Sequence, residues 1–248
     1  MRSFLNALYS GYATLVFAAS ATVAGILILV LPGLHLRRRA GAAGMHTFCR
    51  VSGIGLRIQN RDVLPDGPAV VVANHMSYLD GLVMTAALPP RFGFVIKTEA
   101  GRAPVVGTVL RRMGAAFVDR HNAWRGSSDT RRLLRLIQSG RSLGFFPEGG
   151  LRPEPGLRPF RLGAFLVAAR TGVPIVPAVI EGTRDVLPCD RRVLHHGRIR
   201  VRLLPPLTAE GEDRKAAIRL QNRTWAAIHN ALASEEARAA TATEVRST

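Results

Sequence analysis

The longest apolar stretch of the chain lies at its amino terminus. Residues 3–36 carry no formal charge when His35 is taken as neutral, and residues 12–31 are almost wholly apolar. This matches the length of about 20 residues that a membrane-spanning helix needs. Three arginines follow at residues 37–39, and the positive-inside rule then places the rest of the chain in the cytoplasm. The alternatives are a cleaved secretory signal and a re-entrant hairpin that breaks at Gly25 or Pro32.

Beyond residue 52, short apolar runs rich in β-branched residues alternate with segments of helical periodicity. The predicted strands cover residues 55–59, 69–73, 91–97, 115–118, 143–146, 175–180 and 199–204. The predicted helices cover residues 79–88, 104–113, 130–138, 162–170 and 215–232. A further helix, lying in the membrane interface, is expected over residues 40–51. This alternation is typical of an α/β fold with a mainly parallel central sheet flanked by helices.

The predicted elements divide the chain into three parts. We expect an N-terminal membrane anchor over residues 1–52 and a single α/β domain over residues 53–233. A length of 248 residues suffices for one such domain with a substantial core. The Ala/Thr/Glu-rich end over residues 234–248 is expected to be frayed or disordered.

The charge balance predicts an anionic partner. Lysines and arginines number 34 against 17 acidic residues, a formal net charge of +17, with a sequence pI of about 11.6. Such a charge suits nucleic acid, an anionic membrane surface, a phosphorylated substrate or an acidic protein. The arginines are spread along the chain and no recognition motif appears, so nucleic-acid binding is a remote alternative. Cys49 and Cys189 lack metal or redox spacing and are interpreted as free thiols in a reducing compartment.

The strongest chemical signal is the turn after the strand at residues 69–73. It carries Asn74, His75, Ser77 and Asp80, at the carboxyl end of a strand, where open α/β sheets bind ligands. His75 could act as a general base, with Asp80 fixing its tautomer. The competing interpretation is structural: Ser77 and Asp80 resemble a capping box, and Asn74 suits a turn in any case.

Two further predicted strands end in residues that could bind a substrate. Arg120 follows the strand at residues 115–118, and arginine suits bidentate phosphate contact. The strand at residues 143–146 is followed by Pro147, Glu148, Gly149 and Gly150. Glycines let the backbone approach a ligand closely, and Glu148 could hold an arginine or a substrate hydroxyl.

Arginines and prolines beyond that turn extend the candidate site. Arg152, Arg158 and Arg161 form a basic stretch suited to a phosphate. Pro174 and Pro177 flank or interrupt the strand at residues 175–180, which favours a sheet edge or a pocket wall for that strand.

One motif is rejected. Gly140 to Gly144 match the nucleophile-elbow pattern G-x-S-x-G, which would make Ser142 a nucleophile. That elbow must follow a strand and open a helix. Here the pattern follows a predicted helix and opens a strand, so Ser142 is not expected to react.

Taken together, four blocks in this order resemble the glycerolipid acyltransferase family, in particular the bacterial 1-acyl-sn-glycerol-3-phosphate acyltransferases. Asn74-His75 with Asp80 is similar to the N-H-x-x-x-x-D block of that family. Gly114, Phe117 and Arg120 are similar to its second block, and Phe146 to Gly149 to its third. Val173 to Pro177 are similar to its fourth. The resemblance covers roughly residues 53–207.

The resemblance implies a reaction and roles for the residues. His75 would be the base on the free hydroxyl of 1-acyl-glycerol-3-phosphate, and Asp80 would orient it. The hydroxyl would attack the thioester of acyl-CoA or acyl-carrier protein and give phosphatidic acid. The implied substrate-binding residues are Asn74, Gly114, Arg120, Glu148, Gly149, Arg152 and Pro177. The thioester is a substrate, and no cofactor or metal is expected.

One departure from the family pattern keeps two acceptors open. The third block usually continues Thr-Arg after the glycine, whereas Gly150 and Leu151 stand here and the arginine comes at Arg152. Either Arg152, Arg158 or Arg161 takes the phosphate, or the acceptor is another lyso-lipid, such as a lysophospholipid or lyso-ornithine lipid. In either case we expect an enzyme of the bacterial inner membrane whose catalytic domain faces the cytoplasm.

Overall fold

The computed structural model describes residues 2–119, 123–151, 154, 156–190 and 193–247. Two helices form an N-terminal hairpin, α1 (Arg2–Val30) and α2 (Leu34–Ser52). Proline lacks an amide hydrogen and fixes its own φ, so Pro32 ends the first helix, and Gly33 turns the chain with a φ of 68°. Helix α2 ends at Gly53 in the left-handed conformation, which glycine adopts without a steric cost.

The two N-terminal helices cross closely because small residues lie between them. A Cβ atom added at Gly44 would lie 2.6 Å from the Cβ of Ala24. The hydroxyl of Tyr9 donates to the Ser52 carbonyl at 3.1 Å, and that of Tyr12 to the Val51 carbonyl at 2.7 Å. The apolar segment Phe4–Val30 has a mean hydropathy of 2.3 and is only 17% buried in the protein. By length and composition it can therefore cross a membrane.

The domain after the hairpin is built on a seven-stranded sheet. Its strands are β1 (Gly55–Gln59), β2 (Val70–Ala73), β3 (Phe92–Lys97), β4 (Ala116–Val118), β5 (Ser142–Phe145), β6 (Ile175–Glu181) and β7 (Arg198–Leu203). Their order is β1-β7-β6-β2-β5-β3-β4. Every neighbouring pair is parallel except β6 and β7, which run antiparallel. The mainly parallel sheet predicted from the sequence is confirmed.

Helices cover both faces of the sheet. They are α3 (Asp80–Ala87), α4 (Thr98–Arg102), α5 (Pro104–Arg112), α6 (Ala123–Gln138), α7 (Gly163–Thr171), α8 (Thr183–Val186) and α9 (Arg214–Ser247). Side chains alternate along β2: Val71 and Ala73 join the core under the N-terminal hairpin, where Phe48 lies. Val70 and Val72 join the core under α7 and α9. A strand covered on both faces is apolar throughout, which explains the unbroken run in the sequence.

Of the two expectations for the strand with two prolines, the sheet edge is wrong, and the pocket wall stays a prediction. Strand β6 lies inside the sheet, between β7 and β2. Pro177 faces β7 with its carbonyl, which accepts the N–H of Leu204 at 2.8 Å, so its nitrogen faces the same side. The β6–β7 register ends at the pair Ala178–Leu203. The missing proline N–H therefore falls where the continuous ladder stops, because the pair of Pro177 with Leu204 lacks the second of its two hydrogen bonds. Beyond it the chain pairs again only at the isolated bridge between Ile175 and Leu207.

Helix α9 is longer than the sequence pattern predicts. It continues past Ser234 to Ser247, through the stretch expected to be frayed or disordered. Alanine and glutamate in this stretch favour helix. The division of the chain into an anchor, a domain and a tail stays a prediction.

Candidate active site

The site begins at the turn after β2, residues 74–80, called here the His turn. The side chain of Asn74 anchors it to the neighbouring strand β6: its Nδ2 donates to the Ile180 carbonyl at 2.8 Å, and its Oδ1 accepts the Ile180 N–H at 2.7 Å. Both bonds are buried, and buried polar groups are costly unless paired. Asn74 therefore fixes the direction of the chain as it leaves the sheet.

His75 and Asp80 form a hydrogen-bonded pair across the turn. The Nδ1 atom of His75 lies 2.9 Å from Oδ2 of Asp80. The same oxygen accepts the backbone N–H groups of Met76 at 2.6 Å and Ser77 at 2.8 Å. Asp80 is fully buried, whereas the His75 side chain is 19% exposed. The structural and catalytic interpretations of Asp80 are thus compatible, because the carboxylate holds the turn and orients the imidazole together.

Glu148 holds the His turn from the adjacent strand end. The β2–β5 register pairs Val72 with Phe145, so the turn after β5, residues 146–150, lies beside the His turn; we call it the Glu turn. Oε1 of Glu148 accepts the backbone N–H of His75 at 2.7 Å. Oε2 accepts Nε of Arg158 at 3.1 Å and its backbone N–H at 3.3 Å. The prediction that Glu148 could hold an arginine is confirmed.

Burial raises the pKa of the Glu148 carboxyl above its ordinary value, because charged groups are disfavoured away from water. The N–H of His75 and the contacts with Arg158 act in the opposite direction. Glu148 is therefore a buried carboxyl group whose ionised form is stabilised by the Arg158 side chain and by the backbone N–H groups of His75 and Arg158.

An apolar cavity of about 740 Å³ extends from the His turn between the N-terminal hairpin, α3, α5 and β3. The ring of Phe146 forms part of its wall and stacks on the ring of His75, with centroids 4.2 Å apart and planes 24° apart. Tyr78 of the His turn also lines it. His75 and Asp80 therefore lie next to this cavity, with the Phe146 ring between the imidazole and the cavity space. The cavity is lined almost entirely by apolar groups, which suits an alkyl chain.

A smaller and more polar pocket of about 140 Å³ lies on the other side of the His turn. Asn74, Met76 and Glu148 line one side of it, and His229 and Leu232 of α9 line the other. The His and Glu turns thus separate an apolar cavity from a polar pocket.

Gly149 meets the conformational demand of the Glu turn. Its φ is 86°, a left-handed conformation that glycine adopts without strain, and a Cβ atom there would meet the guanidinium of Arg161. Arg161 in turn donates its backbone N–H to the Pro147 carbonyl at 2.8 Å, which brings its positive charge beside the turn.

The structure does not bring every predicted site residue together. Gly114 lies before the amino end of β4, which is an edge strand of the sheet, whereas the His turn follows the carboxyl end of the central strand β2. A Cβ atom at Gly114 would lie 2.8 Å from the Leu34 side chain. Pro177 is buried inside the sheet, opposite Val72, and Ile180 of the same strand contacts the His turn instead. Arg120 and Arg152 lie outside the described residues, so their assignment stays a prediction.

The position of Ser142 agrees with the rejection of the nucleophile-elbow motif. It begins strand β5, is fully buried, and its hydroxyl oxygen accepts the N–H of Ala69 at 3.2 Å. It lies at the amino end of β5, whereas the His turn follows the carboxyl end of β2. Its role is to join two strands.

Two contributors were missed by sequence reasoning. Phe146 stacks on the base, and its position before Pro147 at a strand end was the available signal. Arg38 lines the apolar cavity, but in the sequence it stands among three arginines that mark membrane orientation, and no signal separates it from them.

The sequence model of the acyltransferase family matches residues 55–181, which contain the His turn, the Glu turn and the strands that hold them. The chain belongs to the acyltransferase family. The 1-acyl-sn-glycerol-3-phosphate acyltransferase of Escherichia coli strain K12 is 30% identical over 167 residues, covering 65% of this chain and 67% of the relative. The chloroplastic 1-acyl-sn-glycerol-3-phosphate acyltransferase of Brassica napus is 35% identical over 159 residues, covering 63% and 46%.

The fold is shared with a solved acyltransferase. The crystal structure of the 1-acyl-sn-glycerophosphate (LPA) acyltransferase from Thermotoga maritima superposes with a TM-score of 0.75, at 19% identity, covering 96% of this chain and 98% of that one. The chain spans about half the length of the Brassica relative. Family membership and fold are established on this basis.

Proposed function

We propose that the protein transfers a fatty acyl group from an acyl thioester to the free hydroxyl of 1-acyl-glycerol-3-phosphate, giving phosphatidic acid. The observation that carries this proposal is the His75–Asp80 pair next to an apolar cavity. The ring of Phe146 stacks on the base and also lines the space for an acyl chain, so the two are neighbours. The Escherichia coli and Brassica napus relatives are both named 1-acyl-sn-glycerol-3-phosphate acyltransferases, which supports the choice of acceptor.

The geometry supports a direct transfer. Because Nδ1 of His75 is bonded to Asp80, Nε2 takes the proton of the acceptor hydroxyl. The hydroxyl oxygen attacks the thioester carbonyl carbon, and collapse of the tetrahedral species breaks the C–S bond. The departing sulfur receives the proton from His75 and leaves as a free thiol. The buried Asp80 carboxylate stabilises the imidazolium between these two proton transfers.

The substrates are assigned by charge and polarity. The fatty chain of the acyl-CoA or acyl-carrier protein donor occupies the apolar cavity. Arg161 lies beside Gly149, and its positive charge would attract the acceptor phosphate. Arg120 and Arg152 are further candidates for this role. Helix α1 anchors the enzyme in the bacterial inner membrane, with the domain facing the cytoplasm, where the net charge of +17 favours anionic lipid.

A second acceptor is favoured by one observation. Gly150 and Leu151 replace the Thr-Arg of the family's third block, and Arg158 is already bound to Glu148. Acylation of a lysophospholipid or lyso-ornithine lipid would need less positive charge at the Glu turn.

The test compares acceptors in one assay. Purified protein in detergent is given an acyl-CoA donor, and thiol release is followed with lysophosphatidic acid or lysophosphatidylethanolamine. We expect release with lysophosphatidic acid. Release with lysophosphatidylethanolamine alone would transfer the conclusion to the second acceptor class, and no release with either would overturn the proposed activity.

A further inference from the structure

Helix α9 contacts the irregular segment that follows the Glu turn. The indole Nε1 of Trp225 donates to the backbone carbonyl of Arg158 at 3.1 Å, and the side-chain amide of Gln221 donates to the carbonyl of Phe160. Gln221 and Trp225 stand one helical turn apart, so they lie on one face of α9. Residues 157–161 belong to no helix or strand, and contacts of this kind therefore set their position.

The indole of Trp225 is half-buried beside the site. It packs against the core under α7 and α9. The imidazole of His229 stacks on it, with centroids 4.7 Å apart and planes 18° apart, and His229 lines the polar pocket together with Glu148. An indole has a single hydrogen-bond donor, and Trp225 gives it to Arg158. Trp225 lies beyond residues 55–181, which the family model matches, so the four blocks that resemble the family do not include it.

Arg158 connects Trp225 to Glu148. Its Nε and its backbone N–H both donate to Oε2 of Glu148, at 3.1 and 3.3 Å, and a terminal nitrogen donates to the Gly150 carbonyl. The side chain of Glu148 is only 2% exposed. A carboxylate buried to this degree is costly without partners, so the position of Glu148 depends on Arg158.

The other oxygen of Glu148 holds the base. Oε1 accepts the backbone N–H of His75 at 2.7 Å. Three hydrogen bonds in series therefore join the indole of α9 to the backbone of His75, through Arg158 and Glu148. Asp80 orients the imidazole, whereas this series fixes the backbone that carries it. A reacting group that is misplaced by about 1 Å can lose about 10²-fold in rate.

We propose that Trp225 is a positioning residue for acyl transfer: its indole N–H keeps Arg158 in place against Glu148 and thereby holds the His turn. This inference rests on the proposed function. Trp225 acts through these residues and takes no part in the proton transfers. Without the N–H, the ring can still fill its place in the core, whereas the segment that carries Arg158 loses one of the two hydrogen bonds to α9 described above.

The first experiment separates turnover from binding. Trp225→Phe keeps an aromatic ring in the core and removes the N–H. We expect kcat for thiol release to fall about tenfold, with KM for donor and acceptor within about twofold of wild type. A displaced base slows the chemical step without weakening the binding that ground state and transition state share. A rise in KM at unchanged kcat would contradict the inference.

The second experiment tests the route through Glu148 with a double-mutant cycle. In Glu148→Gln, the single acceptor oxygen of the amide cannot face both His75 and Arg158, so the connection is already broken. In this background, Trp225→Phe should lower kcat by less than about twofold. An equal loss with and without Glu148→Gln would mean that Trp225 acts by another route, and the inference would be wrong.

Thr224→Val is the matched control for both experiments. Thr224 precedes Trp225 on α9 and is fully buried, and its hydroxyl donates to the Leu220 carbonyl within the same helix at 2.7 Å. The change removes a buried hydrogen bond of α9 without touching Arg158, so kcat should stay within about twofold of wild type in both backgrounds. A loss of about tenfold in this folded variant would show that any disturbance of α9 slows the enzyme, which would refute a specific role for Trp225.

A third variant decides the matter if Trp225→Phe does not fold. Site-specific replacement of Trp225 by 3-benzothienylalanine keeps the size and shape of the ring and puts a sulfur atom in place of the N–H. We expect kcat to fall about tenfold here too. Full activity would show that the ring acts by packing alone, and failure to fold would show that the N–H serves stability; either result would overturn this inference alone. A wild type that transfers no acyl group would overturn the proposed function and this inference with it.

Discussion

The two sides of the site are built in different ways. At the His and Glu turns most of the buried polar atoms have fixed partners: Oδ2 of Asp80 accepts three hydrogen bonds, and both oxygens of Glu148 are bound, whereas Oδ1 of Asp80 has no hydrogen-bond partner among the described residues. The apolar cavity is lined instead by side chains from several separate elements. Among the described residues of its wall, Arg38 alone carries a formal charge, and backbone carbonyls hold its guanidinium.

The difference reflects what each side must do. Proton transfer requires the reacting atoms to be held within a fraction of an ångström, so the residue types and their spacing along the chain are tightly constrained. An alkyl chain requires volume and the exclusion of water, and many combinations of apolar residues provide both. The two turns can therefore be predicted from a sequence motif, whereas the residues that line the cavity cannot.

The largest effect should come from removing the base. His75→Ala leaves the acceptor hydroxyl without a proton acceptor, and general-base removal costs about 10²- to 10⁴-fold in rate. We expect a loss at or beyond the upper end of that range in thiol release. His46→Ala, on the exposed side of α2, is the control and should retain activity. Comparable rates of thiol release in the two variants would show that His75 is not the catalytic base.

The cavity side is tested at the crossing of α1 and α2. Gly44→Ala places a methyl group 2.6 Å from the Cβ of Ala24, whereas the same change at Gly11 meets nothing within 4 Å. Both changes gain similar helix propensity, so their difference isolates the steric clash. We expect Gly44→Ala to be less stable than Gly11→Ala by about 1–3 kcal/mol, measured by urea unfolding in detergent. Equal stabilities would mean that the helices adjust freely.

The pH dependence of stability tests the buried carboxyl of the Glu turn. Because burial raises the pKa of Glu148 in the folded protein, its contribution to stability is greatest below the unfolded pKa and is lost as the pH rises through the folded value. Glu148→Gln lacks this dependence. The free energy of unfolding of the variant should therefore improve relative to wild type as the pH rises from about 4 to 7. A constant difference between the two proteins would contradict the assignment.

The smallest effect on catalysis should come from Ser142→Ala. The change removes one buried hydrogen bond to Ala69 and should lower stability by about 1 kcal/mol. The rate of thiol release should stay within about twofold of wild type, since no step uses this hydroxyl. Loss of activity in a folded variant would restore Ser142 as a nucleophile.

Much of the fold could be predicted because its strands are short, apolar and separated by helices. The pairing of His75 with Asp80 and the position of Glu148 followed from their places at strand ends, since carboxyl ends of parallel strands meet at one edge. The antiparallel β6–β7 pair was not predicted: β7 alternates arginine with apolar residues, but this alternation shows a strand that is covered on one face and does not by itself fix the direction of its neighbour. Gly114 was assigned by the family resemblance alone, and its part in substrate binding stays a prediction.

The place of β1 in the sheet has a consequence for synthesis. It pairs with β7, and Asn60, one residue beyond it, donates to the carbonyl of Leu203, 143 positions later. The ribosome must therefore release almost the whole domain before β1 finds its partner, long after the apolar helix α1 has emerged. Contacts so distant in sequence form slowly. The amino-terminal helices are thus synthesised well before the sheet can be completed, and β1 has no partner until nearly all of the domain has been made.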